Sequence, residues 1–189
     1  MLNVLLVDTG LDNTLLENSL ENLGHQCLKA AYSTDFTVLV RQAKPDILVF
    51  NLNTPAKKLW ADLLTLHQLA PLPVIIFADD DHADTIHQAI TAQVSAYIVD
   101  KPDCSRLPSI ITVAIARFKH QQALCCALEE ARAKLEDRKQ IDKAKAILIK
   151  TQGFTEDEAY HTLRKLAMDR HITLGEMAKN VIAMSELFK

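Results

Sequence analysis

A chain of 189 residues, 49% apolar with only four glycines, has material for one sizeable core and a smaller second unit, and is too apolar to be disordered or collagen-like. Its longest apolar runs, such as Ile47–Phe50 and Val74–Phe77, fall far short of the roughly 20 residues that a membrane-spanning helix needs. The net charge of -3 hides an asymmetry: residues 1–120 carry nine Lys/Arg against thirteen Asp/Glu, whereas 138–189 carry ten against seven, a modestly basic terminus suited to phosphate.

Met1–Asp8 has no basic leader, and its apolar stretch stops at Asp8 before any small-residue cleavage site, so it reads as a first strand of a cytoplasmic chain. Short apolar runs then alternate with amphipathic ones. Val4–Val7, Ile47–Phe50, Val74–Phe77 and Tyr97–Val99 are strands, and a fainter one lies near Cys27–Ala30. Helical periodicity covers Asp12–Leu23, the neighbourhood of Leu59–Leu69, Ala83–Thr91 and Arg106–Phe118. Strands that are apolar throughout, separated by helices, predict an α/β fold: a doubly wound parallel sheet of five strands, receiver-like, over residues 1–120.

From Arg106 to about Lys150 there is no glycine, and only Pro108 near the start, so a very long helix is expected. Leu124, Leu128, Ala131 and Leu135 follow 4-3-4 spacing, and Ile141, Ala144 and Leu148 resume one residue early. That predicts a coiled-coil linker at 121–137 that serves a homodimer, with a register shift; the alternative is a helix packed on its own domain. Gly153 suits a left-handed helix end, and Thr155–Glu158 and Thr173–Glu176 are capping boxes. Ala159, Leu163, Leu166 and Ala167, then Leu174, Met177, Ala178, Val181 and Ile182, mark buried stripes of a three-helix unit at 138–189. Cys27, Cys104, Cys125 and Cys126 form no C-x-x-C pair, and are expected as reduced thiols without metal.

The segments Ala144-Lys145-Ala146-Ile147-Leu148, Glu158-Ala159-Tyr160 and Leu163-Arg164-Lys165-Leu166-Ala167-Met168 together resemble the ANTAR family, the RNA-binding antitermination domain that follows receiver domains in some bacterial regulators. Ala146 stands where that family usually has Gly, a change that favours helix. Val94–Val99, Ala114–Phe118 and Ile182–Leu187 extend the resemblance toward the nitrate-assimilation branch of the family. The resemblance implies a regulator that binds hairpins in leader RNA of nitrate- or nitrite-assimilation operons. It implies a nitrate- or nitrite-sensing partner protein of the periplasmic-binding-protein type; with no nucleophile–base set, no cofactor-binding loop and no membrane-length apolar run in the sequence, neither catalysis, cofactor nor membrane contact is expected.

Among RNA-binding candidates, Lys145 and Arg164 match motif positions, while Lys139, Lys143, Lys165 and Arg170 join them on charge and spacing. Tyr160, His161 and His171 are candidates for base stacking, weighed against packing or a neutral surface role; Ala167 and Met168 are expected as packing that positions Arg164. A protein-interaction adaptor with a solubilising basic tail is a second reading. A DNA-binding response regulator is a third, disfavoured because no turn between the last two helices sets up a recognition helix.

A phosphorylatable receiver needs an acidic cluster for Mg²⁺, an Asp nucleophile, a hydroxyl residue and a Lys. Here Asp8 matches the first acidic position, but Thr9 replaces the second carboxylate and Asn51 stands at the nucleophile position. Ala78 replaces the hydroxyl residue, Asp100 falls where Lys is expected, and Lys101 is one residue late. An amide cannot form an acyl phosphate, so the expectation is a degenerate pocket and control without phosphorylation. Asp79, Asp80, Asp81 and Asp84 read as an acidic loop that favours the start of the helix at Ala83, in preference to a metal site.

Overall fold

The computed structural model describes residues 1–8, 14–33, 36–99 and 103–187. Five strands, β1 (Asn3–Asp8), β2 (Gln26–Ala30), β3 (Ile47–Leu52), β4 (Val74–Ala78) and β5 (Ala96–Val99), form one sheet in the order β2-β1-β3-β4-β5. Every neighbouring pair is parallel, with Val4 opposite Ile47 and Asp8 opposite Asn51. The apolar runs of β1, β3 and β4 are buried on both faces, which is why they do not alternate with polar residues.

Alternate residues feed two cores. Leu5, Val7, Leu48, Phe50 and Ile76 pack with α2 (Phe36–Ala43), α3 (Lys57–Leu69) and α4 (Ala83–Thr91) through Phe36, Val40, Leu59, Leu63 and Ala89. Val4, Leu6, Ile47, Val49, Ile75 and Phe77 pack with α1 (Leu15–Asn22) and the start of α5 (Leu107–Gln152) through Leu16, Leu20, Leu107, Ile111 and Ala114. Helix α2 was not among the expected helices. Thr37-Val38-Leu39-Val40 is rich in β-branched residues, which weakens its helical signal, and burial of Phe36 and Val40 overrides that propensity.

Helix α5 is 46 residues long and runs from one compact unit, Met1–Gln122, into a second, Ala123–Lys189. In the second unit α5 is followed by α6 (Glu156–Asp169) and α7 (Leu174–Leu187). Ala144, Leu163, Ala167, Met177 and Ala178 are buried there, with Ile141, Leu148 and Val181 packed against them. Gly153, at φ 71°, ends α5 with its N–H donating to the Ile149 carbonyl, a backbone state that a side chain would strain.

Both capping boxes form. Thr155 accepts from the Glu158 N–H while Glu158 accepts from the Thr155 N–H at 2.9 Å, and Thr173 and Glu176 repeat the pattern. Leu124, Leu128 and Leu135 on the stalk part of α5 are 53%, 51% and 57% exposed. All four cysteines are free thiols. Among the described residues no helix is long and apolar enough to cross a membrane.

Candidate nucleic-acid interface

Helix α6 has a buried side and a cationic side. At about 3.6 residues per turn, Ala159, Leu163 and Ala167 fall on one stripe facing the three-helix core, which turns Arg164 and Lys165 outward. Both are exposed, and among the described residues no carboxylate lies within ion-pair distance of either. Their charge is therefore available to an anion in solution. Arg170, at the C-terminal cap of α6, is exposed as well.

The other cations are arranged differently. Lys139 and Lys143, about one turn apart, project from the side of α5 opposite Ile141, Ala144 and Leu148, and both are exposed. They form a strip on a different helix from Arg164 and Lys165, and each strip is turned away from the shared core. Lys145 is only 16% exposed, and its Nζ lies 2.8 Å from Glu156 and 2.9 Å from Asp142. Glu156 and Asp142 raise the Lys145 ammonium above the usual lysine range, and Lys145 in turn holds Asp142 below the usual carboxylate range. The lysine at the family-motif position thus ties α5 to the first turn of α6, and an RNA contact there requires giving up part of that tie.

Tyr160 and His161 meet edge to face with ring centroids 6.0 Å apart, and Tyr160 is partly exposed. His171 sits in the left-handed region at φ 53°, its N–H donating to the Met168 carbonyl in the turn between α6 and α7. One expectation is corrected here. Ala167 packs as expected, but Met168 is 66% exposed, because one residue along a helix rotates the side chain by more than a quarter turn away from the core.

In the sheet domain, the C-terminal ends of β1 and β3 bring Asp8 and Asn51 together at the point where the strand order reverses. Asn51 Nδ2 donates to Asp8 Oδ1 at 3.3 Å, and Asp8 is 8% exposed. The ammonium of Lys29, from β2, lies 3.9 Å from Asp8 Oδ2 and 3.8 Å from Glu17 Oε2. Ala78 ends β4, buried, with a methyl where a hydroxyl would be needed. Thr9, Asp100 and Lys101 lie outside the described residues. Lys29 was not legible as part of this pocket, since only the register Leu6–Lys29 brings it beside β1.

Asp80, Asp81 and His82 could together offer ligand atoms to a cation, but the Asp80 carboxylate is already engaged. It accepts from the His82 N–H at 3.0 Å and the Thr85 hydroxyl at 2.9 Å, with His82 Nδ1 at 2.8 Å, and so braces the turn that leads into α4. These bonds, led by the one from the His82 backbone, hold Asp80 below the usual carboxylate range. Tyr97 of β5 donates its hydroxyl to the Asp80 carbonyl at 2.8 Å. Burial, with Asp80 and Asp81 adding to it, pushes the Tyr97 phenol up to about 12.

Comparison with known proteins finds likenesses for both parts of the chain. The ANTAR domain family matches residues 129–182. The transcriptional regulatory protein PdtaR of Mycobacterium tuberculosis is 27% identical over 139 residues, covering 74% of this chain and 68% of that protein. The nitrate regulatory protein of Klebsiella oxytoca is 37% identical over 85 residues, which are 44% of this chain and 22% of that protein. Two solved structures resemble the sheet domain. The signal receiver domain of a modulated diguanylate cyclase from Desulfovibrio desulfuricans G20 has a TM-score of 0.55 at 21% identity, covering 64% of this chain and 98% of that one. The Vibrio cholerae chemotaxis protein CheY4 has a TM-score of 0.53 at 14% identity, covering 60% and 98%. At those identities the likeness shows the receiver fold alone.

Proposed function

We propose that this chain is a transcription antitermination regulator that binds hairpins in leader RNA, a reading supported by the match of residues 129–182 to the ANTAR domain, an RNA-binding antitermination module, and by the receiver fold of the other unit. The observation that carries this reading is the pair Arg164 and Lys165, exposed on α6 inside the matched segment and not consumed by ion pairs among the described residues. Phosphate contacts of this kind supply affinity, and loop bases supply specificity. Lys139, Lys143 and Arg170 add exposed charge, and Lys145 contributes through its tie to Glu156 as much as through its own charge.

Control runs through a protein partner rather than through phosphate. Asn51, hydrogen-bonded to Asp8 where a nucleophilic carboxylate would be required, is the feature that supports this. The partner is a nitrate- or nitrite-sensing protein of the periplasmic-binding-protein type, and the operons serve nitrogen assimilation, in keeping with the likeness to the nitrate regulatory protein. The exposed leucines of the stalk favour a homodimer, which would set two RNA modules side by side and raise their effective concentration. The working site is the cytoplasm.

The test is a gel shift of the full chain with leader hairpins and with duplex DNA of the same length at one fixed salt concentration. Hairpin RNA should be preferred, and Arg164→Ala should weaken it at unchanged helical content. Equal affinity for both nucleic acids would favour the DNA-binding reading. Binding to neither would leave a protein-interaction adaptor.

A further inference from the structure

The outer face of α6 carries more than charge. Tyr160, Arg164 and Met168 recur at intervals of four and so form one ridge along the helix, and all three are exposed. Tyr160 is 39% and Met168 66% exposed, although the core of the module is already filled by Ala144, Leu163 and Ala167 with Met177 and Ala178. Neither large side chain is needed to close that core. Tyr160 meets His161 edge to face, and Arg164 stands between Tyr160 and Met168 along the ridge.

We infer that this ridge docks an unstacked base of the hairpin loop, with Tyr160 and Met168 covering the flat apolar surface of the base while Arg164 holds the adjoining phosphate. The inference rests on the RNA-binding reading above and specifies which part of the RNA meets which residues. Charge complementarity selects this occupant. An apolar strip threaded by an arginine and flanked by Lys165 and His161 suits a polyanion with flat apolar faces better than it suits a neutral helix. A duplex stem would offer only phosphates and shielded base edges to the same ridge, leaving Met168 without an apolar contact.

The experiment uses the full chain and a stem-loop that the wild-type chain selects from a pool with a randomised loop. Each loop nucleotide is then replaced in turn by an abasic one. For the wild type, one abasic position should weaken binding by about tenfold, the scale of a single stacked base. Tyr160→Ser and Met168→Ser should each weaken binding to the intact loop and lose sensitivity to that same abasic position, with helical circular dichroism unchanged. Arg164→Gln should weaken intact and abasic loops alike. If the two serine variants keep wild-type affinity and wild-type sensitivity, the ridge is not the base site, although hairpin binding itself stands. Serine variants that keep RNA affinity but lose self-association would assign the ridge to a second copy of the chain and overturn the inference. If the wild-type chain selects no stem-loop at low salt, the RNA-binding reading falls and this inference with it.

Discussion

Asp137 of α5 reaches so close to Gly175 in the first turn of α7 that a Cβ built on that glycine would lie 2.6 Å from Asp137 Oδ1. The same carboxylate is 3.7 Å from Lys179, one turn further along α7. A carboxylate set against a helix N-terminus is favoured by the helix dipole, so Asp137 helps fix α7 onto α5. Gly175→Ala should therefore turn the Asp137 carboxylate, the far end of a half-exposed side chain, away from α7, and because Ala favours helix over Gly the net change in stability should stay below about 1 kcal/mol. Urea unfolding of the full chain, followed by helical circular dichroism, measures it. Asp137→Ala should cost less in the Gly175→Ala background than in the wild type, because the contact it removes has already been given up. A double variant as unstable as the sum of the two single ones would show that the close approach does not set the docking.

The two capping boxes give the three-helix module an acid-sensitive edge. Backbone N–H donation from Thr155 and Thr173, with their hydroxyls second, holds Glu158 and Glu176 below the ordinary glutamate value of 4.5. A depressed folded value means that this stability is complete above about pH 4.5 and is lost as pH falls through the folded values. Thr155→Ala and Thr173→Ala should each cost about 1 kcal/mol at neutral pH, the common value for an N-cap. Glu158→Gln should keep most of the helix while flattening the acid limb, which a melting series from pH 7 to pH 3 would reveal. An unchanged acid limb in that variant would remove the box from the account.

What was legible in the sequence follows from how local each signal is. The sheet was readable because β1, β3 and β4 each carry an unbroken run of four or more apolar residues, and the helix ends because Gly153, Thr155 and Thr173 carry their own chemistry. Asp8 and Asn51 were readable as a pair because strand ends converge in such a sheet. Lys29 was not, since its place beside Asp8 depends on cross-strand register. Nor was the capture of Lys145 by Glu156, which requires the chain to turn between α5 and α6. Met168 was misjudged because a motif position says nothing of which way a side chain faces, whereas its angle from Ala167 on the helix does.

The stalk leucines make a separate case for self-association. Leu124, Leu128 and Leu135 are all more than half exposed, whereas Ile141, Ala144 and Leu148 pack into the core shared with α6 and α7. The register shift thus separates the apolar residues used within the module from stalk leucines that stay exposed. Sedimentation velocity should show a dimer for the wild type at micromolar concentration, and Leu128→Asp should shift it to monomer with melting of the sheet domain unchanged. A wild-type monomer across that range would remove the stalk from the binding mechanism.

The last prediction concerns phosphate. Asn51→Asp would supply the missing carboxylate beside Asp8, and a simple view of the pocket holds that this restores phosphorylation. Two features oppose that outcome. The Lys29 ammonium near Asp8 and Glu17 supplies positive charge where a divalent cation would have to enter, and at the end of β4 Ala78 has no hydroxyl to hold a transferred phosphoryl group. Incubating Asn51→Asp with acetyl phosphate and Mg²⁺, then measuring the intact mass, should show no stable adduct. Adding Lys29→Met and Ala78→Thr should increase occupancy, since the first vacates the cation's place and the second restores a hydroxyl. A stoichiometric, acid-labile adduct on Asn51→Asp alone would mean that the pocket lacks only its nucleophile, and control without phosphate would then depend on that one amide.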